Sequence, residues 1–144
     1  MGLTVLDASV LIGLLDAIDA HHEAAKAAIG ARVAAQDRFV VPASAYWELL
    51  VGAVQHGSEA VETVDALLGA LPAEVVALGR EIAHAAACLR ANHSGRLRLP
   101  DAFVLGTALE LGADLVLTAD RRWPAIDGLS ISVLGESQPT VDVP

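Results

Sequence analysis

Four acidic residues, Asp7, Glu48, Asp101 and Asp120, stand at positions from which they could act together. Carboxylates brought to one place repel, and without a counter-ion some stay protonated. A hard divalent ion resolves the repulsion. Mg²⁺, or Mn²⁺ in its place, prefers oxygen ligands, and Mg²⁺ keeps water and substrate phosphate in its shell. Such an ion can activate water and stabilise charge developing on a phosphodiester. Zinc fits less well, since the histidines at 21, 22, 56, 84 and 93 form no recognised zinc motif. Each acid also has a plain structural alternative. Asp7 could cap a helix, Asp101 after Pro100 is a good N-cap, and Asp120 could close a turn with Thr118. Glu48 lies between Trp47 and Leu49 in an apolar helix, where an unpaired carboxylate is expensive to bury.

The elements that would bring these acids together can be read from the chain. Residues 2 to 6 are apolar, end in Asp7 and suit a buried strand, and Val10 to Leu15 reads as a short helix. A second helix is expected from Asp19. Phe39-Val40-Val41-Pro42 is a strand closed by proline, followed by a helix from Ala43 to Gln55. Gly57-Ser58 breaks it and opens another, ending near Gly69. Glu74 to Leu78 is a third strand and residues 80 to 92 an Ala-rich helix. Leu99-Pro100-Asp101 introduces a helix over 102–111 that Gly112 stops. Residues 114 to 118 and 129 to 134 are the last strands. This alternation predicts an α/β fold, a mostly parallel five-stranded sheet with helices on both faces. Right-handed crossovers put strand C-termini and helix N-termini at one edge, where ligands bind in such folds. All four acids fall there. The 19 residues from Asp101 to Asp120 carry one helix down the sheet and one strand back, returning both acids to the same rim.

The 144 residues suit one domain, expected over 1–134, with 135–144 a polar tail. Cys88, the single cysteine, permits no internal disulfide and is expected as a small core thiol in the Ala-rich helix. The basic n-region of a signal peptide is missing from the start, and no apolar run approaches the roughly 18 residues that span a bilayer. The expectation is a cytoplasmic protein with no membrane partner. Yet the chain is 54% hydrophobic, with mean hydropathy +0.52. That excess implies a persistent protein interface, with a second copy, another partner or both.

A net charge of −9 argues against a nucleic-acid substrate, but its distribution softens the objection. In residues 90 to 122, Arg90, Arg96, Arg98, Arg121 and Arg122 face four acids, for +1. The rest, with four basic and fourteen acidic residues, carries −10. These arginines bracket Asp101 and Asp120 and are candidates for gripping phosphates; the alternative is a set of solvated helix ends.

The stretches Val5 to Ile12, Val41-Pro42 through Glu48, Pro100-Asp101-Ala102 and Leu117-Thr118-Ala119-Asp120 resemble the PIN-domain family, and more narrowly the VapC-type toxins of bacterial toxin–antitoxin pairs. The resemblance runs from residue 3 to about 134. It implies that Asp7, Glu48, Asp101 and Asp120 are the catalytic and metal-holding acids, supported by Ser9 and Thr118. It implies Mg²⁺-dependent endonucleolytic cleavage of RNA by water, a homodimer, and a cognate antitoxin that blocks the site. Arg121-Arg122-Trp123 stands where many members carry a further acid and Phe.

Other functions fit less well. A receiver domain would want a lysine near the last strand, but Lys26 is the only lysine. A haloacid-dehalogenase phosphatase would want an Asp where Ser9 stands, and no Gly-rich phosphate loop is present. A catalytically inactive PIN fold serving only as an interaction module remains the alternative.

Overall fold

The computed structural model describes residues 1–136. In chain order they form β1 (Leu3–Leu6), α1 (Ala8–Leu15), α2 (His22–Ala34), β2 (Arg38–Pro42), α3 (Ala43–His56), α4 (Ser58–Ala70), β3 (Glu74–Val76), α5 (Arg80–Asn92), α6 (Leu99–Leu111), β4 (Leu115–Thr118) and β5 (Ile131–Val133). The strands make one sheet in the order β3-β2-β1-β4-β5. Among the described residues every neighbouring pair is parallel. Successive residues on a strand face opposite sides, and Val5, Leu6, Val40, Val41, Val116 and Leu117 are all buried. Both faces of the central strands are therefore covered, as the α/β reading expects.

The chain steps outward from β1 to β2 and β3, then returns to place β4 on the other side of β1. The order thus reverses between β1 and β4, and a crevice opens beyond the C-terminal ends of those two strands. Leu6 pairs with Leu117 across this boundary, and Asp7 N–H continues the ladder to Leu117 O at 3.0 Å. Asp7 and Thr118 are consequently side by side at the rim.

Helix α6 sets the position of Asp101. Its residues from Asp101 through Ala108 are buried except for Phe103, because α6 lies under the sheet on one side and against α5 on the other. The approach to α5 is close. A methyl on Gly106 would meet Ala86 N at 2.9 Å and Ile82 O at 3.1 Å, both backbone atoms that cannot swing aside. Gly112 ends α6 in the left-handed region at φ 63, a conformation glycine adopts without strain.

Several expectations change. Helix α6 begins at Leu99, not 102, and Pro100 sits in its first turn, where the missing N–H is no loss. Asp101 is therefore inside the helix. The cap position belongs to Arg98, and no side chain caps the end, which removes the capping explanation of Asp101. Helix α2 begins at His22 rather than near Asp19. Asp16 and Asp19 instead accept from the backbone N–H groups of Ile18 and His21, so their side chains stabilise turns. Cys88 is exposed, not in the core. Ile82, Ala86 and Leu89, at i, i+4 and i+7, are the buried positions of α5, and Cys88 falls outside that stripe. The tail expected over 135–144 lies outside the described residues from 137 onward.

Candidate active site

Asp7 follows β1 at the cap position of α1, but its side chain does not cap that helix. It turns to two hydroxyls. Ser9 Oγ donates to Asp7 Oδ2 at 2.6 Å and Thr118 Oγ1 donates to the same oxygen at 2.9 Å. Both hydroxyls are fixed in turn: Ala119 N–H donates to Ser9 Oγ and Asp120 N–H donates to Thr118 Oγ1. Ser9 and Thr118, expected as site support, thus tie Asp7 to the β4 end and orient its carboxylate. Thr118 does so from full burial.

Burial raises the Asp7 carboxyl above its ordinary value, and the charge of Asp101 adds to the rise, against the pull of the two hydroxyls. Glu48, in the second turn of α3, is raised by its own burial and then by Asp7 and Asp101, with Arg98 opposing. The charge of Asp101 thus bears on Asp7, and those of Asp7 and Asp101 bear on Glu48. One helical turn before Glu48 on the same face, the Ser44 hydroxyl is buried without a hydrogen-bond partner.

Asp120 differs. Arg122 clasps it with a two-pronged fork, Nε to Oδ1 and Nη2 to Oδ2, both at 3.0 Å, while Arg122 N–H also donates to Oδ1. This clasp holds the Asp120 carboxyl below its ordinary value. The structural alternative for Asp120 was a turn with Thr118; the turn exists, but its side-chain acceptor serves Arg122. Asp101 has an arginine as well, Arg98 Nε at 3.4 Å.

Arg90, Arg96, Arg98 and Arg122 line a cleft of about 460 Å³ together with Asp101 and Asp120. Arg121 turns away to Glu136 at 3.7 Å. Four of the five arginines singled out in the sequence thus line this cleft, while Arg121 lines a neighbouring one with Ser9, Asp120 and Arg122. The clasps on Asp101 and Asp120 were missed by sequence reasoning. The i,i+3 spacing of Arg98 and Asp101 was a signal for one of them.

The donor set suits a hard divalent ion: carboxylate oxygens in mutual repulsion, with an orphaned hydroxyl nearby. It is not drawn into a finished cage. Among the described residues, no group of three or more His, Cys, Asp or Glu is arranged to hold a metal ion. Asp101 and Asp120 each face a guanidinium instead.

A profile of the PIN domain matches residues 4–129. The chain belongs to the PIN-domain family. No match is found among curated proteins. Solved structures share the fold. A toxin–antitoxin complex from Klebsiella pneumoniae superposes with a TM-score of 0.67 at 23% identity, covering 88% of this chain and 94% of that one. VapBC2 from Rickettsia felis, bound to a DNA fragment from its promoter, gives 0.75 at 12% identity, with 92% and 98% covered. The Mycobacterium tuberculosis toxin VapC20, described as cleaving the sarcin–ricin loop, gives 0.62 at 18% identity, with 87% and 92% covered. No helix among the described residues is long and apolar enough to cross a membrane.

Proposed function

We propose that this protein is a Mg²⁺-dependent endoribonuclease, acting in the cytoplasm as the VapC-type toxin of a toxin–antitoxin pair. The observation that carries the reading is Asp7, held by Ser9 and Thr118 at the reversal of strand order, with Asp101 and Glu48 near enough for their charges to act on one another's surroundings, in a fold of the PIN family. Asp7, Glu48, Asp101 and Asp120 would hold the ion. When bound, Mg²⁺ or Mn²⁺ supplies the positive charge that activates water and offsets charge on the cleaved phosphodiester. The chain's own residues do the rest. Ser9 and Thr118 aim the Asp7 carboxylate, and the arginine-lined cleft attracts the RNA backbone. Hydrolysis by water leaves a 5′-phosphate and a 3′-hydroxyl.

The partners follow from the surface and from the relatives, several of which are toxin–antitoxin complexes. Trp47, Val51 and Val54 are exposed at i, i+4 and i+7 on α3, and exposed Ile12 lies in the groove between α1, α3 and α4. Such a stripe suits a homodimer contact or an antitoxin helix. The competing reading, an inactive interaction module, draws support from the arginine clasps and the unfinished cage. Incubating the purified protein with total RNA, with and without Mg²⁺, and mapping the new ends decides between them. Defined cuts that need Mg²⁺ and vanish in Asp7→Asn support the nuclease. Intact RNA in both arms, with the melting temperature unmoved by Mn²⁺, would favour the module.

A further inference from the structure

The two clasped carboxylates and their arginines differ sharply in burial. The side chains of Asp101 and Asp120 are 9% and 15% exposed, whereas those of Arg98 and Arg122 are 69% and 75% exposed. The acids are anchored in the rim, and the arginines are solvent-borne arms leaning on them. A buried structural ion pair would have both partners enclosed. The fork that Arg122 lays on Asp120 uses Nε and Nη2, the same edge that grips a phosphate bidentately. That edge cannot serve both at once. A cation on Asp120 would compete with the guanidinium for the same lone pairs and repel its charge. The backbone turn does not depend on the clasp, because Arg122 N–H holds Asp120 Oδ1 independently at 2.9 Å.

We propose that Arg122, with Arg98 beside it, is an exchange arm: it occupies a site carboxylate in the free protein and passes to an RNA phosphate as a divalent cation takes that carboxylate. Resting on the metal-and-RNA reading above, this makes the two ligands cooperative. Each releases the group the other needs, so metal tightens RNA and RNA tightens metal by the same factor. Arg122 is a positioning residue for both ligands, not a group that does chemistry on the bond.

A double-mutant cycle without metal isolates the arm. Binding of a fluorescent oligouridine is measured in EDTA for wild type, Asp120→Asn, Arg122→Ala and the double variant; Asn keeps the Oδ1 acceptor of the turn. Freeing the arm in Asp120→Asn should tighten RNA about two- to fivefold, the range of an exposed ion pair. The salt slope of log affinity should steepen by about 0.7, one phosphate contact on a single strand. In the Arg122→Ala background the same Asn change should give no gain. An equal gain in that background would mean a general charge effect and overturn the arm, as would no gain or no binding by Asp120→Asn. A second arm titrates Mn²⁺ into RNA-free protein, where Arg122→Ala should bind about two- to fivefold tighter than wild type. Equal or weaker binding overturns the exchange. If neither protein binds Mn²⁺, the metal reading of the site fails and the cooperativity with it, while an Arg122-dependent RNA gain would still show the guanidinium passing to phosphate.

Discussion

Asp7 and Asp37 are both aspartates with side chains nearly out of water, at opposite edges of the same sheet. Asp37 stands just before β2, at the N-terminal edge. It accepts from Gly2 N–H at 2.9 Å and Thr4 Oγ1 at 2.8 Å, and pairs with Arg32 Nη1 at 3.4 Å. Burial alone would raise its carboxyl, but Thr4, the Gly2 amide and Arg32 outweigh it and the value falls below the ordinary 3.8. Asp7 also accepts two hydroxyl bonds, yet its carboxyl is raised, because burial dominates and its charged neighbour is another acid. An acid surrounded by donors and a cation stabilises the fold. An acid set against acids costs stability in the free protein and is worth keeping for a ligand that is not part of the chain. Burial does not separate the two roles, but the sign of the surroundings does.

The contrast is most sharply tested by neutralising each acid in turn. Asp7→Asn should reduce RNA cleavage on the order of a thousandfold, the upper range for losing one preorganised electrostatic group. The same change should raise metal-free stability. An active Asp7→Asn protein, with trace nucleases excluded, would break the comparison. Asp37→Ala should do the reverse. Stability should drop by about 3 kcal/mol, since buried donors and Arg32 lose their acceptor, while cleavage per folded molecule stays within about twofold, the reach of an effect confined to global stability. Urea unfolding and single-turnover cleavage on one preparation report both.

The pH dependence of stability should also have opposite signs. The depressed Asp37 carboxyl contributes stability above 3.8 that is lost as pH falls through its folded value. The deficit of Asp37→Asn against wild type should therefore shrink in acid. The raised Asp7 carboxyl imposes its cost above its folded value, and protonation relieves it as pH falls. The advantage of Asp7→Asn should likewise shrink in acid, from the other side of zero. Denaturant midpoints over a pH series check both, and two differences of the same sign would refute the assignment.

Smaller effects sharpen the picture. Thr118→Val removes one hydroxyl from Asp7 and should cut cleavage about tenfold, the low end for an orienting partner. With less help for its ionised form, Asp7 should titrate higher, so the acid limb of the pH–rate profile should move upward. An unmoved limb would mean that Thr118 only closes the turn. Gly106→Ala, remote from both carboxylates, should lower stability by about 1–2 kcal/mol by pressing on the α5 backbone, with little change in pH dependence.

The difference between the two aspartates was only half legible in the sequence. Asp7 follows a largely apolar strand, and acids at strand ends point to the ligand-binding edge of a parallel sheet, so the site's position could be read. Asp37 gives no local sign of its role. Its bond to Gly2 spans 35 residues, and that of Asp114 to Leu3 N–H spans 111, contacts that exist only once β1 is placed. The start of α6 was misjudged because Pro100 reads as a boundary, although proline is tolerated in a first turn. The exposure of Cys88 was legible: Ile82 and Leu89, seven residues apart, mark the inward face of α5, and Cys88 lies off it. The arginines were recognised as a group for phosphate, but side-chain direction, which sends Arg122 to Asp120 and Arg121 to Glu136, is not encoded in adjacency.

The pairing of Leu6 with Leu117 has a consequence for how the protein is made. Asp7 is made well before its β4 neighbour and the Thr118 hydroxyl, which come more than a hundred residues later in the chain. Closing so long a loop is slow and must precede the contacts that reward it. A nascent or prematurely terminated chain that stops before Leu115 can carry Asp7, Glu48 and Asp101 and still lack the strand that holds the first of them in place. A site assembled in this way is complete only after β4 has been made and has docked beside β1.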